Sequence, residues 1–134
     1  MIIDLVNDAV SGASFFAAAR TANANGSGVN LSNGLGSTNA VLNVGSVSGT
    51  TPTLDVKMQE SDDDTTYTDI PGATFNQVTA GNQRQVIRFL RSKAFCRAVA
   101  TIGGTTPSFT FSVEVFGQAK HSGTGGGYDR SPSS

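Results

Sequence analysis

The sequence predicts an all-β fold, a single antiparallel β-sandwich of the jelly-roll or immunoglobulin-like kind. Short segments of alternating apolar and polar residues are separated by turn signals about every ten residues, which is typical of sandwiches and barrels. A Gly-Thr-Thr-Pro segment occurs at 49–52 and again at 104–107, each time between an apolar run and an alternating strand. We expect each copy to form a hairpin loop and the two hairpins to occupy similar positions, because glycine permits unusual φ values and proline ends strand pairing.

The predicted strands follow this alternation along the chain. The clearest is 53–60, where the apolar residues share one face and polar residues the other. Segment 109–115 alternates in the same way, whereas the weaker strands are recognised by the Gly, Asn and Pro turns that end them. These weaker strands are 15–19, 29–31, 39–47, 67–70, 74–78, 85–91 and 95–102. The predicted core consists of Leu54, Val56, Met58, Ile87, Phe89, Phe109, Phe111, Val113 and Val115.

The chain length of 134 residues suits one domain. We place the sandwich at 15–117, an N-terminal arm at 1–14 and a flexible Gly/Ser-rich C-terminal tail at 118–134. The arm is apolar without a clear period, so it is predicted to contact a partner, or alternatively to pack back on its own sandwich. The predicted contact residues, which include the start of the first strand, are Ile2, Ile3, Leu5, Val6, Phe15 and Phe16.

The charge composition excludes a general attraction to nucleic acids or anionic membranes. Charged residues make up 14% of the chain and the net charge is −1. No apolar run approaches the ~20 residues of a membrane-spanning helix. The amino terminus lacks the basic region of a signal peptide. We therefore expect the protein to be made and kept soluble inside a cell, or to be carried by a particle assembled there.

No group of residues predicts an enzyme, a metal site or a cofactor site. Cys96, the only cysteine, lies in a strand-like run and is expected to be a buried apolar residue. The run 62–64 of three aspartates suggests either a calcium site or a solvated turn. The turn is favoured, because adjacent residues point in different directions and the EF-hand spacing is missing. Glycines 123–127 lack a preceding strand and a following helix, so they form a linker and not a phosphate site.

A cluster of positive charges lies between residues 84 and 97. Arg84 and Arg88 have the same parity on a predicted strand, so they form a basic strip on its outer face. Aromatic residues between the charges are better explained as core, which argues against nucleic acid. We predict contact with an acidic protein surface, or pairing with Asp55 and Asp69 of this chain.

Three segments resemble small structural proteins encoded in the head gene clusters of tailed bacteriophages, the capsid decoration (cement) proteins. They are 42–63, which contains GTTPTLDVKMQESDD, 67–73, which reads YTDIPGA, and 97–110, which contains GGTTPSFT. The similarity covers about residues 38–116. The resemblance implies a β-sandwich bound as a homotrimer to the major capsid protein on the outer surface of the virion head, after synthesis in the host cytoplasm. These segments consist of strands and turns, so no binding residues are carried over.

Two alternatives remain open at this point. The first is a neck, tail or fibre component of the same virion. The second is a carbohydrate-binding adhesion module, in which an aromatic ring stacks on a sugar. The chain has two tyrosines for that role, Tyr67 and Tyr128.

Overall fold

The structure, a computed structural model, describes residues 9–31 and 34–119, with side chains over 12–31 and 37–117. All regular secondary structure in these residues is β-strand, which confirms the all-β class. No helix capable of crossing a membrane occurs in the described ranges. The strands are β1 (Ala9–Arg20), β2 (Ala24–Asn25), β3 (Val29–Asn30), β4 (Gly34–Ser61), β5 (Thr68–Thr74), β6 (Gln83–Leu90) and β7 (Phe95–Ala119).

The strands form one continuous antiparallel sheet that folds into two layers. The long strands β4 and β7 pair along almost their whole length and therefore run through both layers. The first layer has the order β6-β4-β7-β1 and contains residues 37–48 of β4. The second layer has the order β5-β4-β7, with β2 and β3 at its edge, and contains residues 53–61 of β4.

The core lies between the two layers. Leu42 and Val44, from the first half of β4, belong to the same buried cluster as Leu54 and Val56 from its second half. Because both halves bury their inward faces in one cluster, the layers cover each other as in a sandwich. The predicted core residues are buried, except for Ile87, which is partly buried. Further core residues include Phe15, Val29, Leu31, Ile70, Phe75, Val78 and Cys96.

The two Gly-Thr-Thr-Pro segments are not hairpin loops, so that prediction is wrong. Val47 pairs with Phe109, and Leu54 pairs with Ile102. The residues on either side of the first segment therefore pair with β7 and not with each other. Each segment is a corner at which a long strand passes from one layer to the other. Thr50 pairs with Thr105, so the corners lie side by side at equivalent positions, as the repeat predicted.

The predicted strands 67–70 and 74–78 are separated by a turn signal at Pro71 and Gly72, and this turn signal lies inside β5. Lys57 of β4 pairs with Thr74, whereas Gln59 pairs with Asp69, so the intervening residues of β5 form a bulge. Gly72 has a φ of +77°, which this irregular backbone requires. The turn residues therefore do mark an irregular backbone, but β5 pairs with β4 both before and after it.

The sandwich begins inside the segment predicted as an arm. β1 starts at Ala9, and residues 9–13 pair with 114–118 of β7. The predicted contact residues Ile2, Ile3, Leu5 and Val6 lie outside the described residues, as do positions 120–134 of the predicted tail.

Candidate functional site

The outer face of the second layer consists largely of polar side chains that bind one another. Asp69 accepts hydrogen bonds from Lys57 Nζ at 3.1 Å and from Gln59 Nε2 at 2.8 Å. Gln59 Oε1 in turn accepts a hydrogen bond from Arg97 Nε at 3.0 Å. The bonds from Gln59 and Lys57 hold the pKa of Asp69 below its ordinary value. These groups satisfy each other on the surface, so they do not mark a binding site.

Tyr67 is engaged with its neighbours rather than open to a sugar. The Arg97 guanidinium lies 4.1 Å from the centre of its ring, a cation–π contact, and its hydroxyl donates a hydrogen bond to the Asp64 carboxylate. Burial, with a further contribution from Asp64, raises the pKa of Tyr67 well above its ordinary value. One face of the ring is therefore covered by Arg97. Tyr128, the other candidate for sugar stacking, lies outside the described residues.

The predicted basic strip lies on β6, in the first layer. Arg84 and Arg88 are both exposed, and Val86 between them is 56% exposed. Leu90, at the end of the strand, is 76% exposed. Within the part of the chain that the structure describes, neither Arg84 nor Arg88 forms an ion pair or hydrogen bond through its side chain, so the predicted pairing with Asp55 and Asp69 does not occur there. Val86 and Leu90 are therefore exposed apolar residues on the same outer face as the two arginines.

The other positive residues of the cluster have structural contacts. Arg91 donates hydrogen bonds to the Leu31 carbonyl at 2.7 Å and to Thr38 Oγ1 at 3.1 Å, which joins the ends of β3 and β6 to β4. Lys93 lies 3.7 Å from the Asp62 carboxylate. The exposed basic strip therefore consists of Arg84 and Arg88.

The outer face of the first layer also carries an acidic residue that sequence reasoning missed. Val86 pairs with Val41, and Val41 pairs on its other side with Glu114 of β7. Glu114 is exposed and has no ion-pair partner among the described residues. In the sequence, Glu114 is recognisable only as a single charged residue within the strand that alternates most strongly, 109–115. The first layer thus presents positive charge on β6 and negative charge on β7.

β1 forms the opposite edge of the first layer. Phe16 is 73% exposed, and 17–19 are exposed alanines. The pairing with β7 shifts on both sides of Phe15, so the strand is bulged where Phe16 projects. Residues 9–19 contain no charge and no proline, the usual devices that protect an edge strand. This part of β1 is an apolar edge suited to a contact.

Phe15 belongs to the core, which corrects its prediction as a contact residue. It is 4% exposed, and its ring centre lies 5.1 Å from that of Phe111 in an edge-to-face arrangement. The Arg20 guanidinium lies 4.7 Å from the centre of the Phe15 ring. Phe15 and Phe16 point to opposite sides, so only Phe16 is available to a partner.

The remaining chemical candidates have structural explanations. The Asp63 carboxylate accepts hydrogen bonds from the amides of Thr65 and Thr66, each at 3.0 Å, and these lower its pKa. It thereby stabilises the turn of 61–66. No group of acidic, histidine or cysteine residues suited to a metal ion occurs among the described residues. Burial raises the pKa of the Cys96 thiol to about 12, so it is not an activated nucleophile.

The fold is similar to that of solved proteins. The sequence matches no protein-family model and no curated protein. The crystal structure of PBSX exported protein XepA has a TM-score of 0.58 at 16% identity and covers 92% of this chain and 41% of that chain. The crystal structure of SPBc2 prophage-derived protein YomS has a TM-score of 0.48 at 14% identity and covers 84% of this chain and 94% of that chain. The chain thus spans about two fifths of the length of XepA. The similarity to XepA shows a shared fold.

Proposed function

We propose that this protein is a non-enzymatic structural component of a tailed-phage virion, and that it binds the outside of the head as a decoration protein. The observation that carries the proposal is the contrast between the two layers. The polar groups of the second layer pair with each other, whereas the first layer exposes Phe16, Val86 and Leu90. A rigid domain that exposes apolar side chains on one layer is suited to covering a site on a larger assembly.

Two further observations support this function. The sequence of residues 38–116 resembles decoration proteins of phage heads, and the fold is shared with the PBSX exported protein XepA. The proposed partners are the major capsid protein and other copies of this chain, as a homotrimer. A virion offers many identical sites, so contacts that are weak individually give a stable shell when they are linked in an oligomer.

The test uses phage heads that lack the protein. Purified full-length protein is added, the bound copies are measured after sedimentation, and the temperature at which the heads release DNA is recorded. We expect saturable binding and a higher release temperature. A cryo-EM map of the complete particle then gives the copy number and position. If heads neither bind the protein nor gain heat resistance, the decoration role is wrong, and density at the neck, tail or fibre identifies the alternative.

The surface is tested with a matched pair of variants. Phe16→Glu places a charge on the apolar edge of the first layer, and Thr101→Glu places the same charge at an exposed position of the second layer. We expect Phe16→Glu to weaken head binding by about tenfold or more, which corresponds to ~1.4 kcal/mol, and Thr101→Glu to bind normally. Equal loss from both variants would mean that the first layer supports attachment neither by touching the head nor by joining copies of the chain.

A further inference from the structure

The two edges of the first layer share an unusual property. Within the described residues, β1 and β6 each pair with a strand on one side only, so both are edges of this layer. On the free side of β1, the Ser27 amide donates to the Ser14 carbonyl at 2.8 Å, so the open part of this edge is the segment around Phe16. The exposed large apolar side chains of the described residues lie on these same strands. They are Phe16 on β1, and Val86 and Leu90 on β6. An edge strand with exposed apolar residues is a template for pairing with another chain.

The charges at the two edges are complementary. β6 presents Arg84 and Arg88, which lie ~13 Å apart along the strand because they are four residues apart on one face. Near the opposite edge, Glu114 pairs with Ala13 of β1 and faces outward. Within the described part of the chain, the side chains of Arg84, Arg88 and Glu114 have no charged partner. The basic edge of one molecule therefore matches the acidic side of another.

We propose that the β6 edge of one copy of this chain docks on the β1 edge of a second copy. Val86 and Leu90 then pack against Phe16 and its neighbouring alanines, and Arg84 and Arg88 approach Glu114 of the second copy. The two contacting surfaces are different patches, so the contact is head-to-tail. A head-to-tail contact leaves one free edge on each molecule, so it generates a closed ring when the rotation between copies closes.

This contact does not depend on binding to a phage head, because it is formed by the chain alone. It is measured with purified protein in the absence of heads, so its failure is distinguishable from failure of the decoration role. Sedimentation velocity over two decades of concentration and native mass spectrometry give the oligomeric state. We expect the wild-type protein to form a discrete oligomer.

Two single-edge variants provide the decisive experiment. Phe16→Glu disables the β1 edge and leaves β6 intact, whereas Leu90→Glu disables the β6 edge and leaves β1 intact. We expect each variant alone to be monomeric. An equimolar mixture contains one intact edge of each kind, so we expect it to form a heterodimer that does not grow further. A contact between identical patches would give no such rescue.

The controls separate a lost contact from a lost fold. Both positions are exposed, so we expect both variants to unfold at the wild-type urea concentration, and Thr101→Glu to oligomerise as wild type does. If the glutamate variants unfold, Phe16→Ser and Leu90→Ser replace them. The proposal is wrong if the wild type stays monomeric throughout the concentration range. It is equally wrong if the mixture of variants stays monomeric.

A charge exchange tests the polar part of the contact. Arg88→Glu places like charges at the contact, and we expect it to weaken association by about tenfold or more. Glu114→Arg in the same chain restores opposite charges between positions 88 and 114 but places a like charge opposite Arg84, so the double variant is expected to recover part of the loss. Additive losses in the double variant would contradict the proposed docking of β6 on the β1 side.

Discussion

The Ser14 hydroxyl accepts a hydrogen bond of 2.8 Å from the amide of Ala98, a residue 84 positions away in the other layer. The same hydroxyl donates to the Ser27 carbonyl at 2.9 Å. Ala98 lies opposite the gap between β2 and β3, where the edge of the second layer is interrupted. Ser14 is 3% exposed and replaces the missing strand partner, so it closes this edge of the sandwich.

Replacing Ser14 by alanine should therefore be costly. The change leaves the Ala98 amide and the Ser27 carbonyl without their partner, and an unsatisfied buried polar group costs about 1–3 kcal/mol. We expect a decrease of that size in the free energy of unfolding, measured by urea denaturation. Ser46→Ala is the control, because the Ser46 hydroxyl bonds Thr110 Oγ1 at an exposed site. Similar small effects from both changes would mean that Ser14 does not stabilise the edge.

The corners between the layers should tolerate a glycine-to-alanine change less well than the bulge in β5. Gly49 has a φ of +111°, and a Cβ there would lie 2.7 Å from the Thr106 carbonyl oxygen and 2.8 Å from the Pro107 Cα. Gly49→Ala should therefore destabilise the fold by about 2–4 kcal/mol, through backbone strain and a clash with the second corner. Gly72 has a φ of +77° but no atom within 4 Å of a Cβ, so Gly72→Ala should cost ~1 kcal/mol.

Thermal and urea unfolding of the two alanine variants measure this difference. Gly104→Ala provides an independent check, because its Cβ would meet the Thr51 carbonyl oxygen at 2.7 Å in the equivalent corner. We expect it to resemble Gly49→Ala. A Gly49→Ala variant as stable as Gly72→Ala would contradict the close pairing of the corners.

The corners also show which part of the fold the sequence could predict. The alternation of 53–60 and 109–115 predicted the inward residues correctly, because a period of two depends on local geometry alone. The passage between layers could not be predicted in this way. A Gly-Thr-Thr-Pro segment is equally suitable for a hairpin loop, and the difference lies in whether its flanks pair with each other or with a strand 55 residues away.

The candidate site shows a similar division. The parity of Arg84 and Arg88 predicted their shared exposed face, since strand geometry fixes it. Phe15 and Phe16 are chemically identical neighbours, and only the packing of Phe15 against Phe111 decides which one is buried. The sequence could not show that Glu114 lies on the same layer as Arg84 and Arg88, two strands away from β6, because this depends on the order of strands in the layer.

The Asp63 turn predicts a pH-dependent contribution to stability. Hydrogen bonds, first from the Thr66 amide and then from the Thr65 amide, lower the pKa of Asp63 from its ordinary value of 3.8. Because the pKa is lower in the folded state, the ionised carboxylate stabilises the fold above pH 3.8, and this contribution is lost as the pH falls through the folded-state pKa. Asp63→Ala should therefore be destabilising at neutral pH, and its difference from wild type should shrink in acid.

Urea unfolding at a series of pH values checks this expectation. Asp62→Ala is the matched control, because the Asp62 carboxylate accepts no backbone hydrogen bond among the described residues and only approaches Lys93 at 3.7 Å. We expect little change from the control across the series. A difference between Asp63→Ala and wild type that persists unchanged in strong acid would show that the carboxylate charge is not its cause.

We expect the Cys96 thiol to react only when the protein opens. Its side chain is completely buried, and burial raises its pKa to about 12. Burial therefore keeps the thiol protonated at pH 8, and the thiolate is the reactive form. We expect native protein to react with a disulfide reagent at least ~10³-fold more slowly than protein in urea, since reaction requires an opened state. The control variant Cys96→Ser should not react in either condition. Rapid labelling of the native wild-type protein would mean that the core around Cys96 is accessible to the reagent.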